Sequence, residues 1–216
     1  MLIRFVCLAN SFKEGGRCLA GIELDNNNNP KLENGRPKWV RPICNTIHGE
    51  VHTFLVAHVH LLDIIEVDVT GYPLEKSHQS ENVLFRETSI NILGRFAAHG
   101  LGELCDKRKM IFGNTGKALS EEAIGALSFS LMLISVDRFE VVEKMYAEKA
   151  ERMKLRLVFT YKGIEYDLPI TDPIFIHNYQ RDPGFTQGIA NAYLCLSLAI
   201  PFNDWYYKLV PGIILY

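Results

Sequence analysis

Short runs in which apolar and polar residues alternate, separated by clusters of Asn, Gly and Pro, fill most of this chain, and that period of two predicts a mainly β protein. Residues 2–9 form a β-branched and aromatic run closed by Asn10-Ser11. Residues 17–24 form a second, closed by Asp25-Asn26-Asn27-Asn28-Asn29-Pro30, and the two read as paired strands. The tract over 25–37 is rich in Asn, Pro and Gly, has little to bury, and reads as an exposed, mobile connection. Residues 38–44 resume as a third strand. Over 61–69, Ile65, Val67 and Val69 fall on one face and Glu66 and Asp68 on the other, the pattern of a half-buried antiparallel strand. After Gly71-Tyr72-Pro73, a polar loop over 75–82 leads to a short strand over 83–86. Several short strands in so short a stretch suggest a small barrel.

Between Ser89 and Cys105 the spacing becomes helical, with Leu93, Phe96, Ala97, Leu101 and Leu104 on one stripe and Ser89 available as a cap. This predicts a helix dividing two units. Strand patterning returns at Phe129. Leu155, Leu157, Phe159 and Tyr161 alternate with polar residues, Lys162-Gly163 supplies a turn, and Ile164, Tyr166 and Leu168 alternate back, so a hairpin is predicted with Tyr161 opposite Ile164. Thr171-Asp172-Pro173 ends it. Residues 174–188 carry no assignable pattern, and 193–200 with 206–215 read as a last antiparallel pair around Pro201-Phe202-Asn203-Asp204. The predicted organisation is two tandem small β-barrels joined by a helix, an N-terminal barrel over residues 1–90 and a linking helix with a C-terminal barrel over 91–216.

Composition narrows the functions available. With 23 basic against 25 acidic residues the net charge is −2, which argues against a non-specific basic coat for nucleic acid and leaves room for a local patch. The five cysteines are widely spaced with no Cys-x-x-Cys, so reduced, buried thiols are expected and no metal knuckle. No apolar run reaches the ~18 residues of a membrane span, and the N-terminal apolar run is too short for a signal peptide. A cytoplasmic protein without a membrane partner is the expectation.

Candidate chemistry concentrates near the start. Ser11, Lys13, Arg17, Trp39 and Arg41 stand beside short extended segments and supply donors, positive charge and one aromatic surface, a set suited to an anionic, planar ligand. Lys13, Arg17 and Arg41 are assigned to phosphate and Trp39 to stacking, with His78 and Asn82 in the 75–82 loop as outer candidates. Each has a structural counterpart: a guanidinium paired with Glu23 or Glu50, a Trp in a barrel core, a Lys beside an ordinary turn. His48-Gly49-Glu50-Val51-His52 lacks the spacing of a zinc helix. Gly113-Asn114-Thr115-Gly116-Lys117 lacks the form of a phosphate loop and reads as a helix entry, with Ser120 capping Glu121-Glu122. No nucleophile elbow or paired-carboxylate arrangement is marked by spacing, so no catalytic residue, metal or cofactor is assigned.

The order of Cys7-Leu8-Ala9-Asn10-Ser11, Lys13, Gly16-Arg17-Cys18-Leu19-Ala20-Gly21, Trp39-Val40-Arg41-Pro42, Leu61-Leu62-Asp63, His78, Glu81-Asn82, Thr171-Asp172-Pro173 and Tyr207-Lys208-Leu209-Val210 resembles the bacterial dual OB-fold-containing domain family, which is associated with biological conflict such as phage defence. The resemblance spans nearly the whole chain and implies two OB barrels. OB barrels commonly bind single-stranded nucleic acid in a groove with stacking aromatics and charges that track the backbone. The function expected is a binding module for single-stranded nucleic acid or nucleotides in bacterial defence. Two alternatives stay open: a module that binds a protein partner, and a hydrolase or nucleotide-modifying enzyme with a scattered site.

Overall fold

The computed structural model describes residues 1–73, 78–145 and 154–216. The chain is mostly β and divides into two compact units, Met1–Leu104 with Ser128–Ser130, and Cys105–Leu127 with Leu131–Tyr216.

Unit 1 is a closed barrel. Its strands are β1 (Leu2–Lys13), β2 (Gly16–Leu24), a two-residue ribbon of β3 (Leu32–Glu33) and β4 (Arg36–Pro37), β5 (Trp39–Ile43), β6 (Asp63–Gly71), β7 (Asn82–Phe85) and β8 (Asn91–Arg95). A short helix α1 (Thr53–Val56) lies between β5 and β6. The sheet runs β1-β2-β5-β7-β6-β8, and a further pairing of β1 with β6 closes five strands on themselves. Numbered by the five barrel strands alone, the order is 1-2-3-5-4-1, with the third and fifth parallel through Arg41↔Asn82, Pro42↔Val83 and Ile43↔Leu84. That is the OB-fold order.

Alternation decides which side chains fill the barrel. Ile3, Phe5 and Cys7 of β1 meet Leu19, Val40, Ile65, Val67 and Val69 in the core, while Glu66 and Asp68 turn outward to Arg4 (2.9 Å) and Arg86 (3.3 Å). The expected faces of the 61–69 strand are the observed ones. Gly21 is fixed by close approach: a Cβ there would lie 1.8 Å from the Val6 carbonyl oxygen, next to the bulge between Cys7 and Ala9.

The 25–37 tract is exposed, as expected, and carries local hydrogen bonds: Asp25 accepts the amides of Asn27 and Asn29 at 2.8 Å each, and the buried Glu23 is held by Lys31 (2.7 Å) and Lys38 (2.9 Å). One segment departs from expectation. Residues 89–105 are not one helix. Asn91–Arg95 is a strand paired with β6, and helical structure is confined to a 3-10 stretch, Ala98–Leu104. The apolar stripe has helical spacing, but Gly94, Gly100 and Gly102, each costing a helix about 1 kcal/mol, weigh against the helix. The open edge of β6 supplies the alternative.

Unit 2 contains β9 (Ala118–Ser120), α2 (Glu121–Gly125), β10 (Leu131–Val136), β11 (Phe139–Lys144), β12 (Lys154–Tyr161), β13 (Ile164–Pro169), α3 (Pro173–Arg181), β14 (Ala192–Leu198) and β15 (Trp205–Leu215). Two sheets form, β10-β14-β15-β9 and β11-β12-β13. If β10 and β11 count as one strand interrupted at Asp137-Arg138, the 1-2-3-5-4-1 order recurs. Its parallel seam is thinned to the single bridge Ile170↔Val210. The result is a half-barrel beside the closed barrel's topology.

The predicted hairpin is present with Tyr161 opposite Ile164, and Leu155, Leu157, Phe159, Tyr161, Tyr166 and Leu168 are buried. Ser120 caps α2 by accepting the Ala123 amide. The unassigned 174–188 segment opens with α3: Asp172 accepts the amides of Ile174 (3.0 Å) and Phe175 (3.1 Å), and Pro173 takes the first turn. The five cysteines are free thiols. Among the described residues no helix is long and apolar enough to cross a membrane.

Candidate functional site

In unit 1 the alternation that points Val40 into the core sends Trp39 and Arg41 outward from β5. Arg41 is nonetheless only 2% exposed. Its guanidinium donates to Ser130 Oγ at 2.9 Å and to Asn82 Oδ1 at 3.3 Å. The Ser130 hydroxyl donates in turn to Glu81 Oε2 (3.2 Å), while Glu81 Oε1 accepts the Ser130 amide (2.5 Å). Arg41 and Glu81 therefore clamp Ser130 between opposite charges. Their own backbones are joined as well, the Arg41 amide donating to the Glu81 carbonyl at 2.8 Å.

Three of the sequence candidates meet here. Asn82 opens β7 directly beside Arg41, and its Nδ2 donates to Gln79 Oε1 at 3.2 Å. His78 lies within reach of the Arg41 charge, and burial together with that charge pushes its pKa down to about 4. At neutral pH this imidazole is neutral. Lys13 shares the electrostatic neighbourhood: burial lowers its pKa, and the positive field of Arg41 adds to the shift against the opposing effects of Cys18, Glu50 and Glu14.

Arg17 and Trp39 are placed differently. Lys13 and Gly16 flank a two-residue turn, Glu14-Gly15, with both φ positive (42° and 82°), the geometry that matches strand twist in a tight hairpin. Arg17 pairs with Phe12 across that hairpin, so it projects from the opposite side to Lys13, and its guanidinium lies 4.6 Å from the centroid of the Phe12 ring. Its backbone exchanges hydrogen bonds with Val51 at 2.8 Å in both directions. Trp39 is half-buried opposite Ile22.

A depression of about 520 Å³ opens between the β1–β2 turn, at Glu14, Gly15 and Gly16, and Glu50, His52 and Phe54. The His52 and Phe54 rings stack, with centroids 5.7 Å apart and planes 14° apart, and Phe54 is 77% exposed. Phe12, His52 and Phe54 were not singled out as ligand contacts by the sequence. The available signal is an apolar ring at a strand end or in a polar loop, where packing does not require one. Glu50 is engaged by Thr46 Oγ1 (2.8 Å) and the His48 amide (3.1 Å), and no cluster of His, Cys, Asp or Glu suited to a metal occurs among the described residues. The arrangement offers cations, stacked rings and a shallow concavity at one end of a barrel.

A five-stranded 1-2-3-5-4-1 barrel followed by a half-barrel of the same order defines a tandem OB-fold protein. The family model for the dual OB-containing domain matches residues 3–213, and the chain belongs to that family. No curated protein matches it. Among solved structures it is similar to a chain described under "Molecular basis for abrogation of activation of pro-inflammatory cytokines", at 10% identity and a TM-score of 0.32, covering 100% of this chain and 92% of that one. It is also similar to a chain described under "Structure and Conformational Change of a Replication Protein A Heterotrimer Bound to ssDNA", at 9% identity and a TM-score of 0.37, covering 100% of this chain and 48% of that one.

Proposed function

We propose that unit 1 binds single-stranded nucleic acid or nucleotides at the end of the barrel that carries the β1–β2 turn. The observation that carries this reading is the pairing of cation and ring beside an open concavity: Arg17 over Phe12, Lys13 at the turn, and the exposed His52–Phe54 stack across the depression. Bases stack on rings whatever their sequence, and guanidinium and ammonium groups follow the phosphates. Glu14 and Glu50 on the depression repel phosphate, so the base enters it and the phosphates stay on Lys13 and Arg17. Trp39 supplies a further ring on the outward side of β5. Arg41, enclosed by Ser130 and Asn82, acts through its field and by holding the 78–82 segment, with His78 and Asn82 ordered by it. The setting proposed is bacterial defence, from the family resemblance, and a cytoplasmic location, from the lack of a long apolar run in the sequence.

The test is fluorescence anisotropy of labelled single-stranded DNA and RNA, with free nucleotides as competitors, at two salt concentrations. Lys13→Ala combined with Arg17→Ala should weaken binding and reduce the salt slope by about 1.4, at ~0.7 per phosphate contact on a single strand. Equal affinity and equal slope in the double variant would overturn the assignment. Binding to a protein partner, with none to any nucleic acid, would favour the interaction module instead.

A further inference from the structure

The depression of unit 1 is walled by acceptors as well as by rings. Glu14 lines it from the β1–β2 turn, and Glu50, Thr53 and the His52–Phe54 stack line it from the start of α1. Gly16 lets Glu50 in: a Cβ there would lie 3.0 Å from Glu50 Cγ and 2.6 Å from the Val51 carbonyl oxygen, so only glycine allows the glutamate stem this close to the hairpin. The carboxylate is then anchored through one oxygen. Thr46 Oγ1 donates to Glu50 Oε2 at 2.8 Å and the His48 amide donates to the same oxygen at 3.1 Å, so Oε1 keeps lone pairs to offer a ligand. Burial works against the charge of Glu50, but hydrogen bonds from its own amide, from Thr46 and from the His48 amide together outweigh it, and its pKa lies below the ordinary carboxylate value.

Glu14 is exposed and adds a second carboxylate, and Lys13 lies in the field of both. Neither Lys13 nor Arg17 lines the depression itself. A flat ligand resting on the rings is thus met at its edge by carboxylate oxygens and by the Thr53 hydroxyl, which donates or accepts. The bases differ in what they show such a wall. Guanine carries two donors side by side on its Watson–Crick edge, N1–H and the N2 amino group, and carboxylates accept from adjacent donors of this kind as they do from the arginine fork. Adenine and cytosine carry one amino group beside a ring nitrogen that only accepts. Uracil and thymine carry N3–H between two carbonyl oxygens, which a carboxylate repels.

We propose that the depression selects guanine, with the base stacked on the His52–Phe54 pair and its N1–H and N2 amino donors accepted by the carboxylates of Glu50 and Glu14. This rests on the reading that a base enters the depression while the phosphates stay outside, and it adds which base that is. Lys13 and Arg17 supply affinity common to every sequence, and Glu14 and Glu50 supply the difference between sequences.

The test titrates the full chain into labelled oligouridylate of roughly 12 nucleotides in which one central base is uracil, cytosine, hypoxanthine or guanine, read by fluorescence anisotropy. The guanine oligomer should bind roughly tenfold tighter than the uracil one, with cytosine and hypoxanthine, which lacks the N2 amino group, between them. Glu14→Gln, at an exposed position, should by itself lower the guanine-to-uracil ratio about threefold, and with Glu50→Gln the ratio should fall to about two or less. The uracil oligomer should bind these variants at least as tightly as it binds the parent, which a loss of structure would not allow. Lys13→Ala with Arg17→Ala should weaken all the oligomers alike and keep the ratio. Equal affinity for every oligomer, still weakened by the Lys13 and Arg17 changes, overturns guanine selection and leaves the unit 1 site standing. No binding of any oligomer overturns both. A preference for uracil, or a guanine preference that survives both glutamine substitutions, overturns the proposal as well.

Discussion

Arg41 and Ser130, 89 positions apart in sequence, are joined at 2.9 Å, and the same serine is held from its other side by Glu81. All three side chains are buried, so the contact fastens the Ser128–Ser130 segment to the first barrel with a neutral pair of charges and a hydroxyl between them.

Removing one charge from such a pair leaves the other uncompensated. Arg41→Ala should therefore lower stability by about 3–5 kcal/mol, and Ser130→Ala by about 1–3 kcal/mol, since the serine removes hydrogen bonds but no charge. Urea denaturation of both variants checks the ranking. An Arg41→Ala protein as stable as the parent would show that the buried network contributes nothing to folding. Any loss of ligand binding in Arg41→Ala has to be read beside that stability.

His78 makes the same region sensitive to acid. Its folded pKa, about 4, lies below the ordinary 6.5, because burial and Arg41 oppose the charged ring. Between those values the unfolded chain binds more protons than the folded one, so stability is full above pH 6.5 and is lost as pH falls toward 4. Urea midpoints should drop from pH 7 to pH 5, and His78→Gln should flatten that drop. An unchanged pH slope in His78→Gln would remove His78 as the cause.

How much of this was legible depends on whether the information was local. The Lys154–Tyr161 and Ile164–Pro169 hairpin was readable because turn chemistry and alternation agree within a dozen or so residues, and the strand faces around Val67 were readable for the same reason. The cap of α3 was also written in the chain, as Asp172-Pro173, but an end signal and a start signal share those residues. Asn91–Arg95 was not legible: its five residues are all exposed, and only the free edge of β6 makes them a strand. Among the site candidates, Arg41, His78 and Asn82 converge. The enclosure of Arg41 comes from Ser130, which no local pattern connects to β5.

Gly21 tests the barrel itself. The Cβ of an alanine there would fall 1.8 Å from the Val6 carbonyl oxygen and 2.8 Å from the Phe5 ring, between two hydrogen-bonded strands that cannot part without breaking the β1–β2 ladder. Gly21→Ala should cost about 4 kcal/mol or more, well above an ordinary surface change. Gly125→Ala, with nothing within 4 Å of its Cβ position, is the control and should be near neutral or mildly stabilising. Thermal unfolding of the two variants side by side separates steric conflict from the general effect of replacing glycine.

Lys208 provides a second pH test, in unit 2, with the same sign as His78 but in an alkaline window. Its side chain is fully buried, the ammonium donating to Asn114 O at 2.9 Å and Asn114 Oδ1 at 2.5 Å, and lying 5.2 Å from the Tyr166 ring centroid. Burial pushes its pKa down to about 8 from the ordinary 10.5. In that interval the folded chain binds fewer protons than the unfolded one, so stability should rise as pH increases from 8 toward 10.5. Tyr161, whose pKa burial and the nearby Asp106 charge raise to about 12, acts in the other direction once the unfolded tyrosine ionises near 10. The rise should thus be visible between about pH 8 and 10 and fade above it. Lys208→Met keeps the stem and removes the charge, so its stability should vary less across that window than the parent's, whatever its absolute value. Urea midpoints at pH 8, 9 and 10 that rise equally in both proteins would assign the effect to another group.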